Sequence, residues 1–189
     1  TANIEEAARN TRLSKTSDYG SGCSADGNLI IAASIFDKLV AQLQKEGGHL
    51  ATPEQKEMLR KAMWDGERHR TVETVAIAPQ QLAKIAGFEI PADRKFIMVH
   101  GDGIGKEHHF SGEKLTTLLA LYKYESFDQA LEMMRGVYEV GGKGHSCGIY
   151  SFDQSHIHAL AMAAPVSRIM VRQPQSKANA GAFNNGMPM

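Results

Sequence analysis

Cys23 lies in the stretch KTSDYGSGCSADGNLI (residues 15–30), with Gly20, Ser21, Gly22 and Ser24 around it and apolar residues only from Leu29 onward. A structural cysteine usually sits in an apolar run, where it acts as a small hydrophobe. Small neighbours instead let a substrate carbon approach the sulfur, and glycine lets a ligand approach the main chain. The chemistry such a residue offers is nucleophilic attack on a carbonyl. Residues from Asn28 onward read as a helix. A helix start close to Cys23 brings a dipole that favours thiolate, and free N–H groups that can hold an oxyanion on the attacked carbonyl. The alternative is a loop cysteine with no role.

Two further residues extend the constellation. His145, in GGKGHS, stands between the end of a helix and the start of a strand. There it can serve as general base toward a thiol or orient a carbonyl, or else simply cap the preceding helix. Glu113 follows the Gly/His-rich loop HGDGIGKEHHFSG. It can accept hydrogen bonds from the sugar hydroxyls of a cofactor, or stand as a solvated carboxylate favoured at a helix start. Cys147 lies inside an apolar strand and reads as core. His108, His109, Asp102 and Glu107 are close in sequence, but neighbouring strand residues face opposite ways and no zinc-type spacing is present, so no metal is expected. GDGIG echoes a phosphate-binding loop, but no Lys-Ser/Thr pair follows at P-loop spacing. Arg168, Arg172 and Lys177 can meet an anionic substrate or coenzyme, or be charges on a strand edge.

These residues need a scaffold, and the 189 residues suffice for one substantial core. The 21 Lys and Arg balance the 21 Asp and Glu. That balance removes the simplest case for a nucleic-acid partner or an anionic membrane surface. No apolar run is long enough for a transmembrane helix and no signal segment opens the chain. Two cysteines with no mark of secretion suggest free thiols in a reducing cytoplasm. Both ends read as cut, which suggests a domain of a longer polypeptide.

Along the chain, residues 2–13 form a helix. NLIIAASIFDKLVAQLQKEGG forms another, capped by Asn28 and stopped at Gly47–Gly48. TPEQKEMLRKAM carries a capping box of Thr52 and Gln55 with Pro53 at the first helical position. VETVAIA is a short strand, APQQLAKIAGF a helix ending at Gly87, and KFIMVHG a strand with the continuous apolar centre of a doubly covered parallel sheet. KLTTLLALYKYES mixes a short helix with a strand. A helix capped by Ser126, the strand HSCGIYSF, the helix SHIHALAMAA and the strand SRIMVRQ follow, leading into a polar loop. Alternating strands and helices predict a three-layer α/β/α domain with a mostly parallel sheet.

Taken together, SKTSDYGSGCSADGNLI, FSGEKLTTLLALYKY and YEVGGKGHSCGIYSFD occur in an order and separation that resemble the aldehyde dehydrogenase superfamily. They look most like its coenzyme-A-acylating branch. The closing APVSRIMVRQPQSKANAGAFNNGMPM is similar to acylating sulfoacetaldehyde and succinate-semialdehyde dehydrogenase-like proteins. The resemblance covers essentially the whole chain. It implies the fold of the family's catalytic domain, with Cys23 as nucleophile, His145 as the active-site histidine of the GG-x-GH motif and Glu113 as the glutamate at the nicotinamide ribose. It also implies oxidation of an aldehyde with NAD or NADP and transfer of the acyl group to coenzyme A, in a cytoplasmic homo-oligomer. The nucleotide-binding domain would lie upstream and the oligomerising strand beyond Met189. Two alternatives stay open: a hydrolytic dehydrogenase in which water takes the acyl group, and a fragment that does not turn over by itself.

Overall fold

A computed structural model of the chain describes residues 2–181. The elements that begin it are α1 (Ile4–Lys15), β1 (Asn28–Ala32), α2 (Phe36–Lys45), β2 (Gly48–Leu50), α3 (Pro53–Met63), α4 (Pro79–Ala86), β3 (Phe96–His100) and β4 (Leu118–Tyr124). They are followed by α5 (Phe127–Gly141), β5 (Gly144–Ile149), α6 (Gln154–Ala163), β6 (Val166–Val171) and α7 (Gln175–Asn179). The expected capping box forms, since Thr52 accepts from Gln55 N while the Gln55 side chain accepts from Thr52 N. Gly87, in the left-handed region at φ 95°, ends α4.

Four strands make a parallel sheet in the order β1-β4-β3-β2, and β5 pairs with β6 in a separate parallel sheet. Strand alternation divides the core. Ile97, Val99, Leu118 and Ala120 pack with Leu59, Met63, Leu82 and Ala83 of α3 and α4. Phe96, Met98, Leu119 and Leu121 turn to the other face, against Ala7, Ala8, Leu39 and Leu43 of α1 and α2. The three-layer α/β/α arrangement is therefore present, with the central strands buried over residues 96–99 and 118–122. A smaller cluster of Leu131, Met134, Cys147 and Leu160 ties α5, β5 and α6 together.

Three expectations need correction. Residues 28–48 are not one helix, because Asn28–Ala32 pair with Ala120–Tyr124 and only Phe36–Lys45 are helical. LIIAASIF is apolar enough for either period, and the β-branched Ile30 and Ile31 suit the free edge position beside β4. VETVAIA is not a strand. Val72–Thr74 form a 3-10 turn, Val72 is 82% exposed, and Ala76 has a φ of 55° that no strand accommodates. The start of KLTTLLALYKYES carries no helix and leads directly into β4. Short β2 and α7 were not anticipated, because three and five residues carry too little periodicity.

Candidate active site

Cys23 stands where α1 hands over to β1. Beyond Lys15 the chain passes through Asp18, Tyr19 and Gly20 at φ 46°, 52° and 69°. Gly20 is required there: a Cβ would lie 2.5 Å from the Thr116 carbonyl oxygen and 2.9 Å from that of Lys15. Ser21 donates both its N–H (3.1 Å) and its hydroxyl (2.7 Å) to the Asp18 carbonyl. Ala25 N–H then donates to Gly22 O at 2.9 Å, which closes a turn with Cys23 exposed on it. The helix expected at Asn28 is absent, since Asn28–Ala32 are strand, and its terminus is therefore not what the sulfur meets. Instead, among the described residues, the N–H groups of Gly22, Cys23 and Ser24 donate to no protein acceptor and remain available to a ligand.

His145 reaches this turn from far away in sequence. Gly142 and Gly144, at φ 92° and 102°, turn the chain from α5 into β5. Gly144 N–H is held by Pro165 O at 2.8 Å. His145 Nε2 then lies 3.1 Å from Cys23 Sγ, across 122 residues of chain. Its Nδ1 lies 2.8 Å from Ser146 Oγ. Both carbonyls of this dipeptide are pinned: Ser167 Oγ donates to His145 O at 2.9 Å, and Tyr138 Oη donates to Ser146 O at 2.8 Å. A thiol facing an imidazole at hydrogen-bond distance is the geometry of an activated nucleophile.

Glu113 is exposed, and no hydrogen bond joins it to Cys23 or His145. Its loop is nonetheless locked against the cysteine segment. The neighbouring Lys114 is 1% exposed, and its ammonium donates to Phe110 O (2.6 Å), Gly112 O (2.8 Å) and Asn28 Oδ1 (3.0 Å). Asn28 Nδ2 donates in return to Ser111 O at 2.9 Å. Arg70 donates to the Lys114 carbonyl through Nη2 at 2.8 Å. Asn28 is thus a clasp between two loops rather than a helix cap. Beneath the turn, Lys15 and Asp26 are both fully buried. Burial lowers Lys15 to about 8 against the pull of the Asp26 and Glu113 carboxylates. Burial likewise raises Asp26, whose Oδ1 accepts from Gln175 Nε2 at 2.9 Å.

Other candidates lie elsewhere. Cys147 is buried, and loss of solvation pushes its thiol up to about 11, so it is a core residue as read from its strand. Arg172, at the far end of β6, donates to Ser151 O at 3.0 Å and covers the Phe152 ring at 4.4 Å. Arg168 pairs in register with Ser146 and donates to Asn179 Oδ1 at 3.2 Å. Lys177 is on α7 and exposed. His108 faces Glu107 at 3.3 Å, and His109 packs edge-on to Trp64 with ring centroids 5.4 Å apart. Among the described residues no three His, Cys, Asp or Glu side chains group as metal ligands.

Sequence reasoning missed Ser146, Lys114, Asn28 and Lys15. The one available signal was a lysine opening the run KLTTLLALY, where a charge must be either paired or exposed.

No family model matches the chain. It is 32% identical to a sulfoacetaldehyde dehydrogenase of Acholeplasma sp over 98% of its own length and 39% of that protein. An acetylating aldehyde dehydrogenase of Geobacillus thermoglucosidasius, known from a crystal structure, superposes with a TM-score of 0.93 at 35% identity, over 96% of this chain and 40% of that one. An engineered glycolyl-CoA reductase with bound NADP+ superposes with a TM-score of 0.86 at 25% identity, over 96% of this chain and 40% of the other. The chain thus spans about 40% of the length of the proteins it matches. In sequence and in fold it is the counterpart of that part of the acylating aldehyde dehydrogenases.

Proposed function

We propose that this chain carries the covalent steps of an aldehyde dehydrogenase that passes its acyl group to coenzyme A, with an anionic aldehyde of the sulfoacetaldehyde type as substrate. The observation that carries this reading is the 3.1 Å approach of His145 Nε2 to the exposed Cys23 sulfur. His145 takes the thiol proton as the sulfur attacks the aldehyde carbon. The resulting oxyanion is met by the free N–H groups of the 22–25 turn, which takes the place of a helix terminus. Small flanking residues leave room for the tetrahedral adduct. Bound NAD(P)+ supplies the hydride acceptor that turns this adduct into a thioester. The exposed Glu113 carboxylate suits two ribose hydroxyls, and the buried Lys114 beside it keeps its loop in place. For the second half, His145 releases its first proton to solvent and then takes the proton of the incoming coenzyme A thiol, and Cys23 leaves as thiolate.

On this reading the chain is the cysteine-bearing catalytic domain of a cytoplasmic homo-oligomer, and the nucleotide-binding domain lies outside residues 1–189. Arg168, in register with Ser146 at the histidine's end of β5, is the cation we assign to an anionic substrate tail. Arg172 is already taken by Ser151 and Phe152. No helix among the described residues is long and apolar enough to cross a membrane.

The test uses the full-length protein with sulfoacetaldehyde and NAD(P)+, with and without coenzyme A. Acyl-CoA formation that depends on coenzyme A is expected. Equal turnover without it, giving free acid, would replace the acylating reading by a hydrolytic one. Turnover of acetaldehyde or propionaldehyde in preference to sulfoacetaldehyde would remove the anionic-substrate part alone.

A further inference from the structure

We infer that Ser146 is a positioning residue that selects the tautomer of His145, holding the proton on Nδ1 so that the Nε2 lone pair faces Cys23. This rests on the proposal that His145 acts on the Cys23 thiol. Ser146 Oγ lies 2.8 Å from His145 Nδ1 and makes no other hydrogen bond among the described residues. Its main chain is fixed by the Tyr138 hydroxyl on its carbonyl and by β-ladder pairing with Arg168. The Ser167 hydroxyl fixes the histidine's own carbonyl. Four residues, Ser146, Tyr138, Arg168 and Ser167, none hydrogen-bonded to the Cys23 thiol among the described residues, therefore determine where the imidazole sits.

The direction of the Ser146–His145 bond follows from the chemistry of the two ends. A hydroxyl both donates and accepts, whereas a neutral imidazole has one N–H and one lone pair. A thiol sulfur is a weak acceptor, so a neutral pair gains most with S–H donating to Nε2. That requires Nδ1–H, which donates to Ser146 Oγ. After the proton has moved, imidazolium again carries Nδ1–H and faces the thiolate through Nε2–H. Ser146 accepts in both states, so proton transfer needs no rearrangement on the Nδ1 side. A free histidine side chain in water prefers the opposite tautomer, with the proton on Nε2. That form cannot take a proton from Cys23, so the serine works against an intrinsic bias.

The experiment is two-bond 1H–15N NMR of the ring nitrogens in the 15N-histidine-labelled protein, with His145 assigned by its disappearance in His145→Gln. Titration against pH accompanies it, together with the rate of Cys23 alkylation by iodoacetamide. Expected are an Nδ1–H tautomer for neutral His145, a shift toward Nε2–H in Ser146→Ala, and restoration in Ser146→Thr. The alkylation profile of Ser146→Ala is expected to lose rate on the side where His145 is neutral, while Ser146→Thr stays within twofold of the parent. A parent His145 with its proton on Nε2, or a Ser146→Ala spectrum identical to it, overturns the inference. The tautomer is read without substrate, so a protein that fails to transfer acyl groups to coenzyme A but shows this tautomer change overturns only the function.

Discussion

Lys114 Nζ donates to Asn28 Oδ1 at 3.0 Å, joining the strand that follows Cys23 to the loop that carries Glu113. Asn28 closes the same contact from the other side by donating to Ser111 O. The spacing between nucleophile turn and carboxylate is thereby set by two side chains that touch neither.

Loss of this clasp should be costly. Lys114→Met leaves Phe110 O, Gly112 O and Asn28 Oδ1 without their shared donor. Buried acceptors left unpaired cost about 1–3 kcal/mol each, offset in part by removal of a buried charge. A net loss of about 3 kcal/mol is expected from urea unfolding, and about 2 kcal/mol for Asn28→Ala. Wild-type urea midpoints for both variants would show that the clasp contributes nothing.

Gly20 and Gly22 should respond oppositely to alanine. A Cβ at Gly20 meets the Thr116 carbonyl at 2.5 Å in a left-handed backbone, whereas one at Gly22 meets nothing within 4 Å. Gly20→Ala is expected to lose about 2 kcal/mol or more, and Gly22→Ala to stay within about 0.5 kcal/mol. Equal effects at the two sites would mean that the turn is not braced against Thr116.

Lys15 makes stability depend on pH in an unusual sense. Its ordinary value of 10.5 falls to about 8 in the folded protein, mainly through burial. Between these values the unfolded chain binds more protons than the folded one, so stability rises with pH. The penalty is fully present below about pH 8 and is relieved toward 10.5, about 3 kcal/mol in all. Unfolding free energies should therefore climb by about 2 kcal/mol more from pH 7.5 to 9.5 in the parent than in Lys15→Met. Parallel pH profiles for the two proteins would remove Lys15 as the cause.

The two thiols should separate by mass spectrometry. Cys23 is exposed beside His145, while Cys147 is buried with its thiol raised to about 11. Cys23→Ala should abolish the covalent adduct with aldehyde or acyl-CoA, and Cys147→Ala should leave it. His145→Gln should slow its formation by about 10²–10⁴-fold, the range of general-base assistance. An adduct lost in Cys147→Ala but kept in Cys23→Ala would transfer the nucleophile's role to Cys147.

Residue type and local spacing marked Cys23, His145 and Glu113 as candidates, each beside a structural alternative, and only the resemblance implied their roles; the same local signals defined the helices whose ends carry Thr52, Ser126 and Gly87. Those signals are local: a cap, a stop or a cluster of small residues acts within one turn of chain. They misplaced the boundary at Asn28, because LIIAASIF fits helix and strand alike until β4 supplies a partner. Removing that helix also removed the helix terminus expected at Cys23 and left the turn's own N–H groups in its place. Only the folded chain decided that His145 lies 3.1 Å from the sulfur, that Ser146 backs its other nitrogen, and that a buried lysine beside Glu113 reaches Asn28. The contacts that assemble the site from distant segments are side-chain hydrogen bonds, from the Cys23 turn to His145 on β5 and from Asn28 at the start of β1 to Lys114 in the Glu113 loop. Such contacts leave no period in the sequence, since their geometry depends on strand order and register rather than on neighbouring residues.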